Sequence, residues 1–153
     1  MSQWLRGSYV QPMRALARQL DPNAPEGHEV GTERLMFGFP RRSVAFAPDL
    51  HVANADLIDI DADVLPGEAL SLAAELTSDT ERDRYLDWRL DVHGASNVPV
   101  YLLLDMNELQ VAVYSGPFDK GYRSHTTVEF GKPVHVPAPF DFELDTAAFK
   151  RED

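Results

Sequence analysis

Leu70-Ser71-Leu72-Ala73-Ala74-Glu75-Leu76 is an apolar run of strand length that carries a single charge. Read with Pro99-Val100-Tyr101-Leu102-Leu103-Leu104-Asp105, it decides the fold. The second run is apolar on both faces, the pattern of a central strand covered on both sides. Between the two, a helix is expected over about residues 79–94. There Tyr85, Leu86, Trp88, Leu90 and Val92 define an apolar side, with Asp87 and Asp91 opposite. Outward from this unit, Pro12 suits the first turn of a helix through Met13, Leu16, Ala17 and Leu20, which Asp21-Pro22-Asn23-Ala24-Pro25-Glu26-Gly27 stops. Strands are expected at about 29–37 and 43–53, followed by an acidic loop over 54–68. Beyond Asp105, Met106-Asn107-Glu108 turns into a hairpin partner from Leu109 to Tyr114. A strand from Tyr122 to Phe130 and a Pro-rich tail ending near Phe149 complete the chain. Strands mixed with two helices point to a compact α/β layer structure.

Composition narrows the class. A chain of 153 residues, 44% hydrophobic and 25% charged, is expected to form one soluble domain, 1–153. No apolar stretch approaches a membrane span, and Met1 to Leu20 has no signal-peptide pattern, so a cytoplasmic location is the expectation. Zero cysteines exclude disulfides, thiolate metal sites and cysteine nucleophiles. A net charge of −11 argues against nonspecific coating of nucleic acid. The charge is nonetheless polarised. Residues 1–20 hold Arg6, Arg14 and Arg18 and no acid, whereas Ser43 to Glu81 holds no Lys or Arg. A basic rim beside an acidic, cation-attracting pocket would produce this distribution, as would a solvated acidic face.

Three residues break their surroundings. An ionised Glu75 inside an apolar strand is costly unless a cation, a metal ion or several donors meet it. Alternation places Leu70, Leu72, Ala74 and Leu76 on one face and Ser71, Ala73 and Glu75 on the other. Asp49 ends the apolar stretch Val44-Ala45-Phe46-Ala47-Pro48, and Arg89 falls in the apolar side of the 79–94 helix. A guanidinium there must snorkel outward or pair with a carboxylate, and Glu75 is the obvious partner. A structural Arg–Glu pair and a catalytic site both fit this pattern. Asp59-Ile60-Asp61-Ala62-Asp63 fails as a calcium loop, because Val64 and Leu70 stand where glycine and glutamate are required. The five histidines lack zinc spacing, and most read as surface or strand residues; His93 falls one turn beyond Arg89 on the apolar side of the 79–94 helix. His51, two residues beyond Asp49, points to the same side of a strand.

The order Pro48-Asp49, Glu75-Leu76-Thr77-Ser78, a helix, then Val98-Pro99-Val100-Tyr101-Leu102-Leu103-Leu104-Asp105 resembles the Uma-type putative restriction endonucleases of the PD-(D/E)xK nuclease superfamily. The resemblance runs over about residues 12–149 and includes the close Phe142-Glu143-Leu144-Asp145. It implies a restriction-endonuclease-like mixed β-sheet flanked by helices, with Mg²⁺ or Mn²⁺ at Asp49 and Glu75. Thr77 stands where the third motif position would carry lysine, and Arg89 falls where the family's lysine migrates to the following helix. The implied activity is metal-dependent endonucleolytic hydrolysis of phosphodiesters, DNA being the expected substrate, with Asp49, Glu75 and Arg89 catalytic. Two departures point elsewhere: arginine stays protonated and cannot act as a base, and the opening helix lacks the family's histidine. They favour the alternative of an inactive nuclease-fold protein serving as a binding or assembly module. Exposed strand edges within 109–130 suggest a homodimer, and no membrane partner is expected.

Overall fold

The computed structural model describes residues 6–78, 90, 92–94 and 97–150. A short 3-10 turn, Gly7–Tyr9, leads into α1 (Val10–Leu20), whose Pro12, Met13, Leu16 and Leu20 are buried along one side. Then come β1 (His28–Gly31), β2 (Met36–Phe39), β3 (Val44–Phe46), β4 (Leu50–Asn54), the single helical turn α2 (Ala55–Ile58) and β5 (Val64–Pro66). The remaining strands are β6 (Leu70–Thr77), β7 (Val100–Asp105), β8 (Gln110–Phe118), β9 (Gly121–Glu129), β10 (Val134–Val136) and β11 (Phe142–Leu144).

Six strands form the main sheet in the order β1-β4-β6-β7-β8-β9. Within this sheet only β6 and β7 are parallel, which requires a crossover between them, and the expected 79–94 helix falls in that connection. Most of that helix, Arg89 included, lies outside the described residues; Leu90 and Val92, His93 and Gly94 are helical. A three-stranded sheet, β3-β2-β5, and the β10-β11 hairpin complete the architecture. This is an α/β fold built on a mixed sheet, and the small sheet packs against one face of it.

Two of the expected strands are each two. The 29–37 segment breaks at Thr32–Leu35, and the 43–53 segment breaks at Ala47–Asp49, where Pro48 has no N–H for a ladder. The expected 54–68 loop holds α2 and β5. Asn54 starts α2 by accepting from the N–H groups of Asp56 (3.0 Å) and Leu57 (3.2 Å).

One face of the main sheet is continuous apolar surface. Leu50, Val52, Leu72, Ala74, Leu76, Val100, Leu102, Leu104, Val111 and Val113 are buried there under α1 and the C-terminal Phe140, Leu144 and Phe149. The opposite face holds two smaller clusters: Ala73, Tyr101, Leu103 and Ala112, and a group in which Phe37, Phe39, Phe46 and Leu65 of the small sheet meet Val92 and Val98. Leu70 belongs to that second group and not to the face of Leu72, because the β4–β6 register slips between Val52 and Ala53. One irregularity in the ladder therefore turns a residue that strict alternation assigns to the other side.

Candidate functional site

The antiparallel β4–β6 register aligns Leu50 with Ala74 and His51 with Ala73. Continued by one residue, it sets Asp49 opposite Glu75. The main chain ties them: Asp49 Oδ2 accepts from the N–H of Leu76 at 2.9 Å. The other carboxylate oxygen, Oδ1, takes a 3.1 Å ion pair from Arg34 Nη2. Asp49 and Glu75 are both half-buried, at the end of the sheet where β6 and its parallel neighbour β7 terminate. The structure thus brings two of the three candidate residues together. The third, Arg89, lies outside the described residues.

Arg34 was not visible as a site residue. It sits in Thr32-Glu33-Arg34, a polar stretch with no periodicity, and only the docking of that loop against β4 carries it to Asp49. The neighbouring Glu33 approaches His51. A side chain at Gly31 would meet Glu33 Oε2 and His51 Nε2, each 2.5 Å from its Cβ, so glycine leaves the space in which they come together. His51 is buried against Phe37, with ring centroids 5.4 Å apart. Burial holds its pKa below the ordinary 6.5, and the Glu33 charge opposes that shift. His51 is thus a neutral packing residue beside the acid pair. Of the other histidines, His28, His125 and His135 lie in strands, and on the expected 79–94 helix there is His93. It is fully buried on the helical residues before β7, among Phe39 (5.1 Å), Phe46 (5.4 Å) and Tyr101 (5.1 Å).

The same end of the sheet carries a third acid. Asp105 is buried, and its Oδ1 accepts from the N–H groups of Asn107 (3.0 Å) and Glu108 (2.9 Å). That is the chemistry of an Asx turn, so this acid organises the β7–β8 hairpin. Ser78, just past β6, is bound by Tyr9 Oη at 2.6 Å and Arg6 Nη1 at 2.8 Å. Arg6, through Ser78, and Arg34, through Asp49, therefore both reach this end of the sheet.

Among the described residues, no group of three or more His, Asp or Glu side chains is placed to hold a metal ion. Mg²⁺ needs less than that: it binds through one or two carboxylates and keeps waters or substrate phosphates in its other positions. Asp49, just before β4, and Glu75, within β6, are hard oxygen donors at the same end of the sheet. The donor set fits such an ion. No described helix is long and apolar enough to cross a membrane.

A family model described as "Uma2: Putative restriction endonuclease" matches residues 8–147. A crystal structure described as a putative nuclease belonging to DUF820, from Anabaena variabilis, superposes with a TM-score of 0.70 at 16% identity. The alignment covers 97% of this chain and 83% of that one. At that identity the likeness is one of fold. No match was found among curated proteins.

Proposed function

We propose that this chain, which belongs to the Uma2 family, is a metal-dependent endonuclease that hydrolyses phosphodiester bonds of DNA with the Asp49–Glu75 pair as its centre. The observation that carries this reading is the 2.9 Å bond from Leu76 N–H to Asp49 Oδ2, which holds one acid beside the other. Two carboxylates kept at facing positions repel one another, and a divalent cation offsets that cost.

In this reading Asp49 and Glu75 hold Mg²⁺ or Mn²⁺ through carboxylate oxygens. When bound, the ion lowers the pKa of a water and offsets charge on the phosphate. The Leu76 N–H fixes the orientation of the Asp49 carboxylate, so that group is presented without reorganisation. Arg89 is assigned the cation of the third motif position on its place in the sequence. There it contributes charge and not base catalysis, since a guanidinium stays protonated. Arg34, already on Asp49, supplies a second positive charge at the rim for the substrate's phosphates.

The specific observation that favours the alternative, a non-catalytic module, is that same Arg34 ion pair. Both Asp49 oxygens are already engaged by protein donors. The deciding experiment is cleavage of plasmid and single-stranded DNA in Mg²⁺ and Mn²⁺ by wild type and Glu75→Gln, with melting curves alongside. The nuclease reading expects metal-dependent cutting that drops at least about 100-fold in the variant. It also expects a rise in wild-type melting temperature with Mn²⁺ that the variant lacks. Equal cutting by both proteins, or no cutting and no Mn²⁺ shift in either, sinks it.

A further inference from the structure

β9 is the outermost strand of the main sheet; among the described residues its ladder is with β8, and its Glu129 carbonyl accepts from the Lys132 N–H at 3.1 Å and the Thr146 hydroxyl at 3.4 Å. It is nine residues long, and Arg123 through Thr127 are exposed. Long edges are templates for further pairing, and proteins blunt them with short length, proline, lysine or bulges. β9 has none of these. Its sequence, Gly121-Tyr122-Arg123-Ser124-His125-Thr126-Thr127-Val128-Glu129, contains neither proline nor lysine. Its pairing with β8 keeps one register from Gln110–Glu129 to Phe118–Gly121, with the Gly116–Arg123 pair missing from the ladder. Tyr122, Thr126, Thr127 and Val128 are residues that favour strands.

We infer that β9 is the contact through which two copies of this chain associate, edge to edge and antiparallel about a two-fold axis at Thr126. The occupant follows from the charges. Apart from His125, Arg123 and Glu129 are the only ionisable charges on the strand, one positive and one negative. Neither makes an ion pair among the described residues. With the axis at Thr126, that residue faces itself, His125 faces Thr127 and Ser124 faces Val128. Arg123 of each copy then faces Glu129 of the other, once at each end. Moving the axis by one residue in either direction separates both pairs. Opposite charges directly across a ladder stabilise it and like charges destabilise it, so the strand complements itself in this register alone. The Arg123 guanidinium lies 4.5 Å over the Phe118 ring. That contact restrains the long side chain before pairing and lowers the entropy lost on association. A contact of this kind is isologous and closes as a dimer.

The test is sedimentation of the full chain over rising concentration, for wild type, Arg123→Glu, Glu129→Arg and the double reversal. Both positions are exposed, and circular dichroism melts check that the single variants remain folded. The expected result is a wild-type dimer, weakened at least tenfold by either single reversal because like charges then face each other, and restored by the double reversal. A wild-type monomer at all concentrations overturns the proposal, as does a dimer indifferent to the single reversals or not rescued by the double. These outcomes are independent of cleavage, so failure here leaves the acid pair's assignment standing.

Discussion

The two faces of the main sheet solve different problems. Under α1, Leu50, Val52, Leu72, Ala74, Leu76, Leu102 and Leu104 form uninterrupted apolar surface with almost no exposure. On the reverse, the same strands present His51, Ser71, Glu75, Tyr101 and Asp105, and the apolar groups there fall into two smaller clusters. One β-strand serves both sides because its side chains alternate. β6 can therefore carry Glu75 between Ala74 and Leu76, whose side chains anchor it from the other face. Stability is concentrated on the apolar face, which permits costly polar groups on the reverse.

The largest expected effect breaks the first face. Leu16 is fully buried in α1 against the sheet, and Leu16→Ala should destabilise by about 2–5 kcal/mol through lost burial and a cavity. Chemical denaturation measures it, and a loss under about 1 kcal/mol would mean α1 is not the lid of the core. On the reverse face, Arg34→Ala should cost less than about 1 kcal/mol, since the ion pair with Asp49 is partly exposed and water screens it. It should instead strengthen Mn²⁺ binding several-fold by removing a competing charge from Asp49, as calorimetry would report. Unchanged or weaker Mn²⁺ affinity would mean that Arg34 does not oppose a cation there.

The smallest effect concerns pH. Ser71 donates its hydroxyl to Val52 O at 3.1 Å, so it accepts from His28 Nδ1–H at 3.0 Å. Burial lowers the His28 pKa below 6.5. A depressed folded-state value means the unfolded chain binds the proton more readily. The contribution is therefore complete above about pH 6.5 and is lost as pH falls through the folded-state pKa. His28→Gln should flatten the decline in melting temperature between about pH 7 and pH 5. An identical decline in both proteins would show that His28 is not a source of it.

Much of this was legible in the chain itself, for identifiable reasons. Asp49 and Glu75 stood out because a carboxylate in an apolar stretch is costly wherever the strand ends up. α1, β6 and β7 were readable because their burial follows a period that local sequence displays. The splits at Thr32–Leu35 and Ala47–Asp49 were missed, since apolar residues on either side mask a break that only pairing reveals. The place of His93 on the apolar side of a helix was readable, but not its aromatic neighbours Phe39, Phe46 and Tyr101, of which the two phenylalanines lie far away in the chain.

What the sequence determined by itself was therefore local: which residues are apolar and with what period, and which charges sit where burial makes them expensive. Tertiary structure alone decided the pairings. Antiparallel register between β4 and β6 set Asp49 opposite Glu75, and a slip in that register sent Leu70 to another cluster. A loop with no pattern of its own delivered Arg34 to the acid. Register and loop docking depend on contacts between residues distant in the chain, and no local period encodes them.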